Sequence, residues 1–169
     1  MNLANFVNNP FSPNATFDFD EFKRCVRVAV RALNDVLEEG LPLHPLEEQR
    51  ESVKAWRQIG LGIMGLGDML IQMGLTYGST DAIAFCHDIG FAMADTAIAA
   101  LVKAYGMRNS QLLTIAPTGT LSTMLGISGG IEPIYANFYE RKTESLHGTD
   151  VYYKVYTPIV ERYMKKHHI

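Results

Sequence analysis

Apolar residues recur at spacings of three and four between residues 18 and 40. Phe22, Val26, Val30, Leu33 and Leu37 fall on one stripe, which predicts an amphipathic helix. Asp18, with Glu21 three residues on, makes a capping-box start, and Gly40 after Glu39 is the expected C′ stop. Residues 41–45 form a turn punctuated by proline. Residues 47–57 are polar, with Val53 and Trp56 as apolar anchors, and predict a second helix. Ser79 or Thr80 caps a long helix that runs to Tyr105, ahead of Gly106. It is apolar on nearly every side: Ile83, Phe85, Ile89, Phe91, Met93, Ala97, Ile98 and Leu101. A helix that is apolar all round is expected to be buried.

Shorter patterns fill the spaces between these helices. Residues 8–16, rich in Asn, Pro and Ser, read as a loop. Residues 59–67 hold four glycines, which suggest close backbone approaches or positive φ angles. A short helix is expected from Gly65 to Met73, ending at Gly74. Residues 112–115 read as a short buried strand, and 116–122 as a turn into a helix through Leu125. Residues 126–130 are a loop, 131–139 are extended with Pro133 interrupting, and 151–156 alternate as a strand. Thr157-Pro158 opens a last helix with proline at N1. The fold class is α/β and helix-rich. Strands separated by helices predict parallel pairing, yet too few strands exist to close a barrel.

Composition narrows the functional classes. The chain has 169 residues, 47% of them hydrophobic and 20% charged, with a net charge of -3. That is ample apolar content for a packed core and excludes intrinsic disorder. It suits one domain, or one piece of a larger one. A mildly acidic chain has no sequence-independent attraction for nucleic acid, and the basic cluster Lys165, Lys166, His167, His168 reads as a solvated helix end. No secretory signal opens the chain. The longest apolar run, residues 89–102, is broken by Asp95 and Thr96 and falls short of the roughly 20 residues of a membrane span. Cys25 and Cys86 stand far apart in sequence, so they read as free buried thiols with no metal site.

Several segments could carry chemistry. Gly60, Gly62 and Gly65 spell G-x-G-x-x-G, but residues 54–58 before them are no apolar strand, and no second strand with an acidic end follows. A tight packing turn is the better reading than a dinucleotide site. In residues 116–122, Pro117 stiffens a turn and Gly119 lets the backbone approach a ligand. Thr118, Thr120 and Ser122 offer hydroxyls, and the helix start offers free N–H groups. These make an anion site for a phosphate, although an ordinary capped helix start uses the same residues. Glu132, after Gly129 and Gly130, reads as a surface carboxylate at a loop junction. Tyr152 and Tyr153 point to opposite faces of a strand, one inward and one outward. His87 is expected as a satisfied core residue.

Taken in order, several of these segments resemble the large catalytic subunit of ribonucleotide reductase. They are Asn2-Leu3-Ala4, Ala32-Leu33-Asn34, the run from Arg57 to Leu70 around Gly60-Leu61-Gly62-Ile63-Met64-Gly65, Asn109-Ser110, the run from Ala116 to Ser122, and Gly130-Ile131-Glu132-Pro133. The resemblance covers nearly the whole chain. It implies a partial ten-stranded α/β barrel, with residues 1–169 forming a single fragment of the reductase's catalytic barrel domain. It implies part of a ribonucleoside-diphosphate or triphosphate reductase that reduces the ribose 2′-hydroxyl by radical chemistry. Pro117, Thr118, Gly119, Thr120, Leu121 and Ser122 match its substrate-phosphate loop. The thiyl-radical and redox-active cysteines of the family match neither Cys25 nor Cys86, so no catalytic residue is assigned and the chain alone is expected to be inactive. The variant at Gly119 and the ending over residues 151–168 look more like adenosylcobalamin-dependent members. A radical from a metal-containing small subunit is the alternative, and no cofactor is expected on this piece itself. Expected partners are the ribonucleotide substrate, the rest of the catalytic subunit and a second copy of the chain, in the cytoplasm, without nucleic acid or membrane. The contrasting reading is a freestanding helical interaction module that has lost the chemistry.

Overall fold

The computed structural model describes residues 1–106, 109–143 and 151–169. Helix α1 spans Phe19–Gly40, and the Asp18 carboxylate accepts from the Glu21 N–H at 2.9 Å, as the capping pattern predicts. Phe22, Val26 and Val30 are fully buried on its stripe, and the next buried position is polar Asn34. Gly40 is not the expected stop. Its φ of -73° keeps it right-handed, and the chain runs on into a 3-10 turn over Leu41–Leu43. Pro42, which has no N–H for the ladder, ends the α-helix instead. Helix α2, Glu47–Trp56, buries no residue, and Trp56 is 59% exposed, so it does not anchor the helix. The link back to α1 is Arg57, in the left-handed region with φ 47°, whose guanidinium pairs with Glu38.

Helix α3 spans Leu66–Gln72 and helix α4 spans Thr80–Tyr105, with the Ser79 hydroxyl capping α4 at the Ala82 N–H. The expectation of an all-round buried α4 is corrected. Ala82, Ile89, Ala92, Met93, Ala97, Ala100 and Leu101 are buried on one side, and α4 packs against α1. Ile83, Phe91, Ile98 and Val102 are exposed on the other, because no described element packs there. His87 lies on this outer side, exposed beside Asp88, and is not a core residue. Over Thr80–Ala104 the helix is long and apolar enough to cross a membrane, which the broken run at 89–102 did not suggest; its packing on α1 is that of a core helix. Phe6, Phe17, Phe19, Phe22 and Phe85 close one end of this core with ring centroids 5.0–5.9 Å apart.

Strand pairing departs from the expected parallel sheet. Strands β1 (Val7–Asn8) and β2 (Thr16–Phe17) form a two-rung antiparallel clamp around the first loop. Parallel pairing survives as two bridges, Asn2 with Met64 and Leu61 with Leu113. Residues 112–115 are therefore not a full strand, and Ile115 is exposed rather than buried. The cause is a slip in register. Leu61 N–H donates to the Leu112 carbonyl and the Leu61 carbonyl accepts the Thr114 N–H, whereas Ile59 N–H donates to the Gln111 carbonyl, one residue out of step with a regular ladder. The glycines permit this approach: a Cβ on Gly62 would lie 2.7 Å from the Thr114 carbonyl oxygen.

Helix α5 spans Gly119–Leu125. Strands β3 (Phe138–Thr143) and β4 (Val151–Tyr156) then pair antiparallel in six rungs, from Phe138 with Tyr156 to Thr143 with Val151. Only the last two residues of the expected extended run 131–139 belong to this ribbon. Both of its faces are solvated, so Tyr152 and Tyr153 are both exposed and neither enters a core. Helix α6, Pro158–His167, follows and buries Ile159. Among the described residues the strands make two small sheets and close no barrel.

Candidate functional site

The turn into α5 brings the sequence-predicted loop together. Thr118 takes the left-handed conformation, φ 53° and ψ 25°, and stands at the N-cap. In an α-helix the first N–H groups have no intrahelical acceptor. Here the cap side chain does not serve them, because Thr118 Oγ1 instead accepts the Gly130 N–H at 2.9 Å. The amides of Gly119, Thr120 and Leu121 therefore stand at an exposed turn, with open space in front of Gly119. Oriented N–H groups at a helix start favour an anion. Ser122 behaves differently. It is buried, and its hydroxyl donates to the Gly119 carbonyl at 3.0 Å, so this donor faces inward. Thr120 is exposed, and Pro117 precedes the cap with its carbonyl packed against Gly129.

Beside Thr118 a cavity of about 480 Å³ opens between α1 and the extended run 59–64. Ala29, Leu33 and Val36 form one wall, and Gly60, Leu61, Gly62, Thr114 and Ala116 the other, with no charged side chain among the lining residues. Such a volume falls in the range of small-molecule sites. Any anion held here would be bound by backbone dipoles rather than by Lys or Arg.

The loop is held from behind by residues that the sequence pattern did not single out. Asp68, on the first turn of α3, is 1% exposed. One of its oxygens accepts the Ser128 N–H at 2.7 Å, and the other accepts Arg162 Nη2 at 2.9 Å. Arg162 comes from α6 and also donates to the Gly126 carbonyl at 3.2 Å. Ser128 returns to α3: Gly65 N–H donates to its carbonyl at 2.8 Å and Gly67 N–H to its hydroxyl at 3.1 Å. Ser128 thus takes the Gly65 and Gly67 amides at the start of α3, the helix end at which the G-x-G-x-x-G run would have to hold a pyrophosphate. A lone acid within Gly67-Asp68-Met69-Leu70 was the available signal for Asp68; nothing near Arg162 pointed to a partner 94 residues away.

Glu132 is exposed, as expected of a surface carboxylate. Cys25 and Cys86 are free, although both are only partly buried. Burial pushes the Cys86 thiol up, and burial with a hydrogen bond to Glu21 does the same for Cys25. Among the described residues no three His, Cys, Asp or Glu side chains gather to hold a metal.

The order of segments and their packing agree with known proteins. The family model described as "Ribonucleotide reductase, barrel domain" matches residues 1–103 and 96–169. This chain belongs to that family. The vitamin B12-dependent ribonucleoside-diphosphate reductase of Mycobacterium tuberculosis (strain CDC 1551 / Oshkosh) is 32% identical over 152 residues, covering 79% of this chain and 22% of the relative. The reductase of the same name from Thermoplasma acidophilum is 35% identical over 160 residues, covering 83% and 20%. The ribonucleoside-diphosphate reductase subunit alpha of Chlamydia pneumoniae is 24% identical over 201 residues, covering 86% and 19%. The chain thus spans about a fifth of the length of these reductases. The Actinobacillus ureae class Id ribonucleotide reductase alpha subunit superposes with a TM-score of 0.70 at 22% identity, over 99% of this chain and 31% of that one. This second comparison supports the reductase barrel-domain fold. The two matched stretches of the reductase domain overlap on residues 96–103, inside α4. The alignment with the Chlamydia pneumoniae reductase runs over more residues, 201, than the 169 of this chain, so that relative carries residues with no counterpart here.

Proposed function

We propose that this chain is one piece of the catalytic barrel of a ribonucleotide reductase, and that Pro117, Thr118, Gly119, Thr120, Leu121 and Ser122 form the loop that receives the substrate's phosphates. On this reading residues 1–169 contribute to a ten-stranded α/β barrel completed by the rest of the subunit. The parent reduces the ribose 2′-hydroxyl of a ribonucleoside di- or triphosphate and so supplies deoxyribonucleotides for DNA synthesis in the cytoplasm. The carrying observation is the start of α5, where Gly119, Thr120 and Leu121 are exposed, no cap side chain serves their amides, space is open in front of Gly119, and Thr118 lines a cavity of about 480 Å³. The chemistry of the loop is positioning. The Gly119, Thr120 and Leu121 amides would hold phosphate oxygens, while Ser122, turned inward, braces the turn rather than contacting the ligand.

The radical and reducing steps are assigned to other parts of the subunit. Cys25 and Cys86 sit on α1 and α4 with raised thiol pKa values, the wrong direction for reactive thiols. The residues here do not fit a resident cobalamin or metal: His44 is half-buried in the turn before α2, His87, His167 and His168 are exposed on α4 and at the end of α6, and no three His, Cys, Asp or Glu side chains gather among the described residues. No step is therefore routed through such a group in this chain. The parent's radical source is proposed as adenosylcobalamin, since the Mycobacterium and Thermoplasma relatives are named vitamin B12-dependent. A metal-containing small subunit is the alternative.

A nucleotide titration tests this reading. Adding ADP to the 169-residue chain is expected to shift the amide resonances of residues 118–122, weakly, because no Lys or Arg lines the cavity beside the loop. Silent amides would remove the phosphate loop and favour the contrasting reading, a helical interaction module. Ribonucleotide turnover by this chain alone would overturn the assignment of the reducing chemistry elsewhere.

A further inference from the structure

We infer that Arg162 is a positioning residue for the loop at 116–122, acting through Asp68 and the segment 126–130. The inference deepens the phosphate-loop reading and rests on it for its ligand, but its geometry stands separately. Arg162 ties three parts of the chain at one point: α6, which carries it, the Asp68 carboxylate of α3, and the Gly126 carbonyl at the end of α5. Asp68 passes the constraint on, because its second oxygen holds the Ser128 N–H. From Ser128 the chain has little freedom. A Cβ on Gly129 would lie 3.0 Å from the Pro117 carbonyl oxygen, and one on Gly130 would lie 3.0 Å from that of Ala116. The Gly130 N–H then donates to Thr118 Oγ1.

That last bond decides how the α5 amides are presented. A threonine at the N-cap ordinarily turns its hydroxyl onto the helix's own first amides. Here Gly130 occupies the Thr118 oxygen, and Thr118 rests in the left-handed region, which a β-branched residue rarely adopts. Loosening the segment 126–130 would free Thr118 to rotate and cap its own helix, closing the amides to an anion. The buried carboxylate of Asp68 needs a charged partner. Arg162 provides one from the surface side, 44% exposed, where substitution leaves the α1–α4 core untouched.

The test uses Arg162→Met, which keeps the stem and removes the fork, and Arg162→Lys, which keeps the charge. Amide hydrogen exchange and inorganic pyrophosphate titration are read on the full chain. In Arg162→Met, exchange is expected to rise about tenfold at Ser128 and Gly130, the scale of one lost charge-assisted hydrogen bond. The resonances of residues 118–121 should move, the pyrophosphate dissociation constant should rise by a similar factor, and the amides of Val26 and Ala97 in the core should be unchanged. Arg162→Lys should recover part of each effect, since one ammonium can reach Asp68 but lacks the Nε–H that Arg162 donates to the Pro158 carbonyl and that fixes its direction. Unchanged exchange at Ser128 and Gly130 overturns the inference. So does loosening that spreads equally to Val26 and Ala97, which would mark Arg162 as a general stabiliser. If the unsubstituted chain ignores pyrophosphate, the phosphate-loop reading falls, and the exchange pattern alone still decides the positioning role.

Discussion

Cys86 shows how a single side chain's surroundings set its chemistry. It sits partly buried on α4, and burial raises its thiol above the ordinary value because the thiolate would lose hydration. The sign follows directly: at a given pH less thiolate is present than on an exposed cysteine. Iodoacetamide at pH 8 is therefore expected to label Cys86 more slowly than a free cysteine in solution, with the rate climbing as pH rises past 9. Labelling as fast as the free amino acid would contradict this. The residues hardest to read from sequence are polar groups whose meaning lies in burial or in a distant partner. Asn34 is fully buried within an apolar stripe, and Asp68 finds its cation 94 residues away. Local spacing contains no term for either. The helix ending at Leu125 was legible from local turn chemistry, although it begins at Gly119, inside the run 116–122 expected as the turn, and the Gly130 bond to Thr118 was not.

At the scale of elements, periodicity served where one face meets a core. The α1 stripe and its Asp18 cap stand as the pattern predicts. Periodicity failed where a residue type was taken for a contact. Trp56 looks like an anchor by composition, yet α2 buries nothing. The two cases separate in energy. Phe22→Ala removes a fully buried ring in contact with Phe6 and Phe17 and is expected to cost about 3–5 kcal/mol in denaturant unfolding. Trp56→Ala should cost about 0.5 kcal/mol or less, as surface changes do. Equal losses would mean that α2 packs more closely than its exposure indicates. The strand at 112–115 was misread for a related reason: β-rich composition says nothing about whether a neighbour keeps register.

Across the whole molecule, apolar surface is unevenly covered. Phe91 and Ile98, at 67% and 50% exposure, stand on the outer side of α4 with Ile83 and Val102. An apolar helix face of this kind in water favours association. Sedimentation is expected to show concentration-dependent self-association, and the double substitution Phe91→Glu, Ile98→Glu should shift the chain toward monomer with its melting temperature little changed. A chain that is already monomeric at high concentration would refute this. An apolar composition all round α4 could be read from sequence; which side would be covered could not, because that depends on which neighbours are present.

The overlap of the two family matches within α4 has a consequence of phase. A helix turns 100° per residue, so 26 residues rise about 39 Å as one rod only if its two halves share one rotation. Ala82, Ile89 and Met93 precede the doubly matched residues; Ala97, Ala100 and Leu101 lie within them, and all six are buried. Shortening the chain at that seam preserves the core only where the remaining residues keep step. One residue fewer ahead of them would put Ile98 and Val102 in the buried places of Ala97 and Leu101, and one more would carry Ala97 and Leu101 to the exposed places of Ile98 and Val102.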